Sequence, residues 1–573
     1  MQPERPIARG PDTAADAFLQ LLAARGLEYL FANAGTDFSP LAEARARGLA
    51  HGARMPQPVI VPHENLGVAM MHGYTMVTGK AQAMMVHVGV GTANALNGFI
   101  NASRQNVPML LCAGRSPLTE VAGLAGARNN YIHWAQEHFD QGAMLREFAK
   151  WDYELKHASQ VQAAVDRALA IAHSEPQGPV YLTLPREILA SKLEGPLRDG
   201  PMQVPASPPA ADADALEEVA QLVARARQPL LITANGGRTP DASRAIARLA
   251  EEFAIGVVQY RPRHMALSTE HPMHLGWDPH ASLKEADLVL VVDCDVPWIP
   301  RLGGPRDEAK VVHIGPDPLF ARYPMRGFRT DVALTGRVAS TLEQLRERIA
   351  RHAPQAKTLA ARREALGAQS AALRTRGRSG GTPMSAQWAS ACLNAVLDED
   401  ALLVNEYPLV LEEMTLREPA RYFGTPPSGG LGWGLGAALG AKLAAPGRTV
   451  VCALGDGSYM FGNPTPGHYV SEAMGLPVLF VVFNNARWAA VHRSTLADYP
   501  DGYAARAASP PFAELEPAPR FEHVVRASGG HGERVGAPDE LRPALERALR
   551  VVREDKRQAL IDVCIAASYV KTS

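Results

Sequence analysis

Several features that would assign a chain to a special class are missing from this sequence. None of its apolar runs approaches the roughly 18–20 residues of a membrane-spanning helix, and its first residues lack the pattern of an export signal. Lys and Arg number 58 against 59 for Asp and Glu, so no excess of positive charge marks a nucleic-acid binder. We therefore expect no membrane and no nucleic acid as partners, and a cytoplasmic location.

Cysteine is also scarce, and two common motifs are missing. The 573 residues include five cysteines, far apart and without a CxxC pair, which favours buried free thiols over disulfides or a zinc site. The glycine-rich stretch at 428–440 follows no predicted strand and lacks the strict GxGxxG spacing of a dinucleotide site. This argues against an NAD-dependent oxidoreductase.

What the sequence does contain is a repeated alternation of short apolar runs with segments of helical period. Runs such as 81–88, 286–294 and 477–483 have the length of buried strands, and the alternation is typical of parallel sheets covered by helices. Irregular stretches at 196–213 and 376–383 indicate linkers. We predict an α/β fold with three doubly wound parallel-sheet domains. The predicted domains cover residues 1–195, 213–350 and 380–573.

The most specific motif begins where a predicted strand of the third domain ends. The run TVVCAL is followed directly by Gly455, Asp456, Gly457 and Ser458, and Asn485 comes shortly after the run PVLFVVF. A carboxylate and an amide oxygen at neighbouring strand ends suit Mg²⁺, and glycines let a phosphate approach the backbone. The alternative is a simple turn at GDG and a strand-ending cap at NN. The two motifs together favour a site for Mg²⁺ and a diphosphate.

These motifs resemble the signature of the thiamine-diphosphate-dependent enzymes, in which GDG precedes an NN that follows an apolar strand. The resemblance implies thiamine diphosphate and Mg²⁺ as cofactors. It implies Asp456, Asn485 and the backbone carbonyl of Arg487 as metal ligands, with the GDGS residues 455–458 contacting the cofactor.

Two further segments resemble the same family. The segment PHENLGVAMMHGYTMVTGK (62–80) places Glu64 where the family has a glutamate that hydrogen-bonds the cofactor's pyrimidine N1′. The segment SGGLGWGLGAALG (428–440) places Gly429, Gly430 and Leu431 where the family bends the cofactor, with Leu431 between its two rings. The alternatives are a surface glutamate and a helix packed tightly on a sheet.

The resemblance also implies an assembly, because the family forms its site between two subunits. Glu64 of one chain would then meet Asp456 of another, which makes a homodimer the minimum and a homotetramer the common state.

Within this family, the chain resembles the benzoylformate decarboxylases and the acetolactate synthases. FANAGTDF (31–38) places Thr36 where the family faces its substrate, and the segment 84–111 places His87 at an active-site histidine. The implied reaction is decarboxylation of a small 2-oxo acid through a carbanion on the cofactor. The product would be an aldehyde, or the fragment would be ligated to a second carbonyl as in acetolactate synthases.

Other segments give conflicting indications about whether the chain is more similar to the decarboxylases or to the acetolactate synthases. The stretch 134–155 is more similar to the synthases, whereas 275–303 departs from their flavin-binding pattern, which argues against FAD. We interpret His63 and His72 as structural, and Trp488 as lining the substrate pocket or packing inside the domain. A catalytically silent regulatory paralogue is a further alternative, although such a protein should have lost Glu64 or a metal ligand.

Overall fold

A computed structural model gives the fold of most of the chain. It describes residues 10–374, 384–507, 509 and 511–566, so the predicted linker at 376–383 lies outside the described residues. The described part contains three separate sheets, and every strand pair within them is parallel. This confirms the predicted α/β class with three parallel-sheet domains, while the predicted domain limits stay a prediction.

The first sheet has six strands. They are β1 (Tyr29–Ala32), β2 (Gln57–Ile60), β3 (Ala83–Val86), β4 (Met109–Arg115), β5 (Asp152–Glu154) and β6 (Pro179–Pro185). Their order across the sheet is β2-β1-β3-β4-β6-β5. The accompanying helices are α1 (Ala14–Ala24), α2 (Ser39–Ala50), α3 (Glu64–Thr78), α4 (Val88–Arg104), α5 (Ile132–Ala135), α6 (Val161–His173) and α7 (Arg186–Ala190).

The second sheet follows an irregular stretch that matches the predicted linker at 196–213 up to the start of its first helix. Its strands are β7 (Pro229–Thr233), β8 (Gly256–Gln259), β9 (Leu288–Val292), β10 (Lys310–Gly315) and β11 (Val332–Thr335), in the order β11-β10-β9-β7-β8. The helices are α8 (Ala213–Arg225), α9 (Pro240–Phe253), α10 (His280–Glu285), α11 (Val338–Arg351) and α12 (Ala356–Arg374).

The third sheet repeats the strand order of the first. Its strands are β12 (Leu402–Glu406), β13 (Tyr422–Gly424), β14 (Val450–Gly455), β15 (Leu479–Asn484), β16 (His531–Val535) and β17 (Ala559–Cys564), in the order β13-β12-β14-β15-β17-β16. The helices are α13 (Ala386–Val396), α14 (Trp433–Ala444), α15 (Asp456–Phe461), α16 (Pro464–Ala473), α17 (Ala489–Asp498), α18 (Tyr503–Arg506), α19 (Phe521–Arg526) and α20 (Pro538–Arg553).

Edge strands account for most of the strands that the apolar runs do not predict. β5, β11 and β16 lie at sheet edges and are only partly buried. Strands in this position can contain polar residues, and their sequences show no long apolar run. β13 has three residues and ends at Gly424, shortly before the glycine-rich stretch at 428–440. The expectation that no strand precedes that stretch is therefore wrong, because a strand of three residues leaves no recognisable pattern.

The described residues separate into two compact units. One unit holds the described residues up to Ser207 together with Pro426–Pro446 and Ser458–Pro477, and the other holds the remainder. In the first unit, α3 and α14 pack with their backbones close together. A Cβ atom on Gly73 would overlap the backbone of Ala437, so a glycine is required at this crossing.

Two further expectations can be compared with the described residues. The five cysteines are free, four of them are buried, and Cys564 is partly buried. Within the described ranges, none of the helices combines the length and the apolar character that crossing a bilayer requires.

Near the middle of each sheet there is a point where successive strands of the chain go to opposite sides; the first and third sheets also exchange their outermost pairs, β6-β5 and β17-β16. The chain crosses from one side to the other between β1 and β3, between β7 and β9, and between β12 and β14. In open α/β sheets, ligands bind outside the carboxyl ends of the strands at such a point. The residues that follow these strands are therefore the first place to look for a site.

Candidate active site

A buried carboxylate lies at the start of α3, shortly after β2. Glu64 is 8% exposed, and its Oε2 accepts a hydrogen bond from Asn94 Nδ2 at 2.5 Å. Its Oε1 lies against α4, where a Cβ atom on Gly91 would come within 3.1 Å of it. The predicted catalytic glutamate is thus held by a neutral amide donor from the neighbouring helix, and among the described residues no cation forms an ion pair with it.

A second acidic side chain, which the sequence analysis missed, faces the predicted active-site histidine. Asp37 follows β1 and His87 follows β3, so the two residues meet where the strand order reverses. His87 Nδ1 lies 2.6 Å from Asp37 Oδ1, and the Val88 amide donates to Asp37 Oδ2 at 3.3 Å. The hydrogen bond to Asp37 raises the pKa of His87 above its usual value, although burial opposes the shift.

Two glycines make room for this pair. A Cβ atom on Gly35 would overlap the His87 ring, and one on Gly114 would overlap the Asp37 carboxylate. On the other side of the ring, Gln136 Nε2 lies 3.2 Å from His87 Nε2. Both ring nitrogens therefore have polar neighbours, and Asp37 favours the form with a proton on Nδ1.

The remaining candidates from this region differ in their surroundings. Thr36 is exposed beside Asp37, and its carbonyl accepts from Arg186 at 3.4 Å, so its predicted role toward the substrate stays a prediction. His72 is fully buried with its ring edge-on to Trp433, and burial lowers the pKa of His63. The packing of His72 supports its structural interpretation, whereas that of His63 stays a prediction.

One face of α4 also contacts the predicted cofactor-bending segment. Asn101 Nδ2 donates to the Gly430 carbonyl at 2.8 Å, and Asn97 Nδ2 donates to the Leu431 carbonyl at 3.1 Å. Gly429 has φ +67°, which favours glycine. The sequence analysis missed these asparagines, although their spacing on one helical face was a usable signal.

In the second unit, side-chain oxygens from the GDG and NN motifs accept hydrogen bonds from the same backbone N–H group, that of Arg487. Asp456 Oδ2 and Asn485 Oδ1 accept from the Arg487 N–H at 3.3 and 3.0 Å, and Asp456 Oδ1 accepts from the Gly457 N–H at 2.8 Å. Burial raises the pKa of Asp456 to about 6, while the backbone amides that hydrogen-bond it act in the opposite direction. The two predicted side-chain ligands therefore converge.

This donor set fits Mg²⁺. The described residues contain no cluster of three or more His, Cys, Asp or Glu side chains suited to a metal. Asp456 and Asn485 supply a carboxylate and an amide oxygen instead, and the carbonyl of Arg487 is the predicted third donor. Hard oxygen donors of this kind are the ones Mg²⁺ prefers, and it usually keeps waters and phosphate oxygens as its other ligands.

The neighbouring residues of the motif have unequal surroundings. A Cβ atom on Gly457 would overlap the ring of Trp488, whereas one on Gly455 would meet no atom within 4 Å. Trp488 therefore packs against Gly457, which favours its packing role. Ser458 is buried in α15, one residue further along.

The carboxyl end of the central sheet carries charged side chains that pair with each other. Asp295 follows β9 and accepts from buried Arg263 at 2.5 Å and from Tyr323 at 2.9 Å. The buried Asp295 carboxylate is therefore already occupied by Arg263 and Tyr323.

Three family descriptions match successive parts of the chain. "Thiamine pyrophosphate enzyme, N-terminal TPP binding domain" matches residues 12–144, the central domain of the same enzymes matches 216–345, and their C-terminal TPP binding domain matches 407–563. Together these matches cover well over half of the chain.

Curated relatives span the chain almost completely. A benzoylformate decarboxylase from Pseudomonas aeruginosa is 26% identical over 559 residues, which is 94% of this chain and 97% of that protein. A probable acetolactate synthase from Mycobacterium bovis is 28% identical over 505 residues, 85% of each chain. A probable 2-ketoarginine decarboxylase from Pseudomonas aeruginosa is 28% identical over 514 residues, 85% of this chain and 83% of that protein.

Solved structures share the fold at lower identity. The 4-hydroxybenzoylformate decarboxylase of Rhodococcus jostii superposes with a TM-score of 0.78 at 23% identity, covering 97% of this chain and 99% of that chain. The benzoylformate decarboxylase of Polynucleobacter necessarius gives the same TM-score at 21% identity, covering 97% and 99%. With three matching domains and relatives of full length, the chain belongs to the thiamine pyrophosphate enzyme family.

Proposed function

We propose that this chain is a thiamine-diphosphate- and Mg²⁺-dependent enzyme that decarboxylates a small 2-oxo acid and releases an aldehyde. The observation that carries the proposal is the buried Glu64 carboxylate, held by Asn94 within a chain that matches the thiamine pyrophosphate enzymes along its length. Two of the relatives named above are decarboxylases, which supports this class of reaction.

The residues present are suited to both cofactors. Mg²⁺ would be held by Asp456, Asn485 and the Arg487 carbonyl, next to the glycines that would receive the diphosphate. Glu64 and the Gly429–Leu431 segment would hold the aminopyrimidine ring. When bound, thiamine diphosphate supplies the nucleophile and the electron sink that allow the bond to the carboxylate carbon to break.

His87 is the proposed proton donor. Loss of CO₂ leaves the former carbonyl carbon in need of one proton before an aldehyde can leave. Because Asp37 binds Nδ1 and raises the pKa of His87, the doubly protonated ring persists to a higher pH, and its second proton, on Nε2, can be delivered. Thr36 is proposed to contact the substrate, and Gln136 to orient the ring.

A carboligase of the acetolactate synthase type is the second candidate. It is favoured by the relative named a probable acetolactate synthase, which is 28% identical over 505 residues. In that reaction a second carbonyl compound takes the place of the proton. A silent regulatory paralogue is disfavoured, because Glu64, Asp456 and Asn485 are all retained.

A panel of 2-oxo acids tests the proposal. The purified chain would be supplied with thiamine diphosphate and Mg²⁺, and CO₂, aldehyde and acyloin would be measured separately for aromatic, aliphatic and basic substrates. We expect CO₂ and aldehyde in equal amounts from at least one substrate. Acyloin in place of aldehyde would favour the carboligase, and no CO₂ from any substrate would contradict both. Sedimentation of the same sample tests the proposed homodimer or homotetramer.

A further inference from the structure

The third sheet contains a buried carboxylate to which the proposed function assigns no role. Asp562 lies in β17 between Ile561 and Val563, and it is 0% exposed. A charge in such a place costs stability unless other groups compensate it, so an apolar residue would pack here at less cost. The presence of a carboxylate therefore needs an explanation beyond packing, and its contacts supply one.

The two strands beside β17 carry the groups that contact Asp562. Val482 of β15 and Arg534 of β16 are its partners in the parallel ladders, and Asn484 follows Val482 by two positions on the same face of the sheet. Asn484 Nδ2 donates to Asp562 Oδ1 at 2.9 Å, and Arg534 Nη1 lies 3.3 Å from Asp562 Oδ2. One carboxylate oxygen thus faces a cation, and the other binds an amide.

Asn484 is the last residue of β15, and both its main chain and its side chain are held. Its carbonyl accepts from the Ile565 N–H at 2.9 Å, which continues the ladder with β17. Its Nδ2 donates to Asp562 and, at 3.3 Å, to the Pro519 carbonyl. Because these two partners can only accept, they fix which end of the amide is Nδ2. The other end, Oδ1, accepts from the Ala486 N–H at 3.1 Å, so Asp562 orients it toward the turn that follows the strand.

That turn, at 485–487, holds two of the three predicted metal ligands. Ala486 has φ +52°, in the left-handed region that residues other than glycine seldom adopt. Asn485 and Arg487 flank it, and the Arg487 N–H binds Asn485 Oδ1 at 3.0 Å and Asp456 Oδ2 at 3.3 Å. The hydrogen bond from Ala486 to Asn484 therefore stabilises the backbone conformation on which the convergence of the two ligand oxygens depends.

We infer that Asp562 is a positioning residue for the proposed Mg²⁺ site, acting through Asn484 on the turn at 485–487. The inference rests on the proposed function, since that function assigns Mg²⁺ to this turn. Groups that hydrogen-bond behind metal ligands orient them, and losing such a group typically costs about 10–100-fold in metal affinity. Asp562, Asn484 and the turn all belong to the third sheet, so these contacts are complete within one chain.

Three variants test the inference, and a fourth is the control. Asp562→Leu keeps the branched shape of the side chain and removes the acceptor, whereas Asp562→Asn keeps an oxygen that can accept from Asn484. Asn484→Ala breaks the same connection from its other end, and it carries the test if Asp562→Leu does not fold. Tyr422→Phe is the control, because it removes one buried hydrogen bond, to Asn405 at 2.9 Å, near the opposite edge of the same sheet.

The first measurement is the Mg²⁺ concentration that gives half-maximal binding of thiamine diphosphate in calorimetric titrations. We expect this concentration to rise by about 10–100-fold in Asp562→Leu and in Asn484→Ala, and by less in Asp562→Asn. It should stay close to the wild-type value in Tyr422→Phe, because a loss of stability alone does not change the arrangement of the ligands.

The second measurement is amide hydrogen exchange in the protein without cofactor. We expect faster exchange at Ala486 and Arg487 in Asp562→Leu, although neither amide loses its own acceptor in that variant. Asn484→Ala should have the same effect on Arg487, whereas Tyr422→Phe should leave both amides unchanged.

The outcomes separate this inference from the proposed function. A Mg²⁺ requirement of Asn484→Ala equal to that of Tyr422→Phe would overturn the inference, as would unchanged exchange at Arg487 in Asn484→Ala. A wild-type chain that binds no cofactor in the presence of Mg²⁺ would instead overturn the proposed function. The exchange rates at Arg487 would then still decide whether Asp562 positions the turn.

Discussion

The first and third sheets have the same strand order but hold their functional groups in different ways. After the third strand of each sheet in chain order comes His87 in one and, beyond Gly455, Asp456 in the other. After the second strand comes Glu64 in one and the 428–431 loop in the other. The shared topology places these residues at equivalent strand ends, and their chemistry differs because the residue types differ.

The means of support differ accordingly. In the first sheet, groups suited to proton transfer are held by other side chains, as Asp37 holds His87 and Asn94 holds Glu64. In the third, Asp456 is held chiefly by backbone N–H groups, and one of these, the Arg487 N–H, also binds Asn485 Oδ1. Proton transfer should therefore depend on the first sheet and metal-dependent cofactor binding on the third.

The largest expected effect comes from removing the carboxylate of the first sheet. Glu64→Gln keeps the size of the side chain and removes its ability to exchange a proton, so we expect turnover of the best 2-oxo acid to fall by about 10²–10⁴-fold. Cofactor affinity should change far less. Steady-state kinetics with calorimetry of the same sample checks both, and turnover close to that of the wild type would contradict the assignment.

The reverse pattern is expected from the third sheet. Asp456→Asn removes a charged ligand, so we expect the Mg²⁺-dependent affinity for thiamine diphosphate to fall by roughly 100-fold or more. Turnover at saturating cofactor should recover in part, which Glu64→Gln should not allow. If both variants lost affinity equally, the division of labour between the two sheets would be wrong.

A smaller effect, on the free energy of unfolding, is expected to differ between the two glycines of the GDG motif. Gly457→Ala forces its new methyl group against Trp488, so we expect a loss of about 1–3 kcal/mol in the free energy of unfolding. Gly455→Ala is the control, because its methyl group would enter open space. Thermal unfolding of the cofactor-free proteins gives the comparison, and equal destabilisation by both substitutions would argue against the Trp488 packing described above.

The smallest effect concerns pH. Asp37→Asn should lower the pKa of His87, because the hydrogen-bonded carboxylate is the main cause of its rise. A raised folded-state pKa stabilises the protein fully below the unfolded value of about 6.5, and this contribution is lost as the pH rises through the folded pKa. The substitution should therefore cost more stability in mild acid than in alkali.

Titration of the His87 ring by NMR provides the check on that pKa. Asp140→Asn serves as a control, since Asp140 is an exposed carboxylate paired with Arg146. An unchanged His87 titration in Asp37→Asn would show that the pair does not set the charge of the ring.

The sequence was sufficient where a motif lies in one continuous segment. The buried strands before Gly455 and Asn485 have strong apolar runs, and the GDG and NN residues follow them directly, so the convergence of Asp456 and Asn485 could be predicted. Glu64 was likewise assigned from the single segment 62–80, and its catalytic role stays a prediction.

Sequence analysis failed where a contact joins segments that are distant in the chain. Asp37 and His87 are 50 positions apart, and Asn101 and Gly430 are 329 apart, so no local pattern connects them. The edge strands were missed for another reason, since a strand that is exposed on one side needs no continuous apolar run. Topology alone does not identify a ligand site. The strand order of the central sheet also reverses, but the charged side chains Arg263 and Asp295 at that position bind each other.

Cofactor binding to the wild-type chain tests the central claim most directly. Thiamine diphosphate would be titrated calorimetrically into the cofactor-free protein, once with Mg²⁺ and once with a chelator in its place. We predict saturable binding at one site per chain with Mg²⁺ and little or none with the chelator. Absence of binding under both conditions, or equal binding in both, would contradict the assignment of Asp456 and Asn485 to a metal that holds the diphosphate.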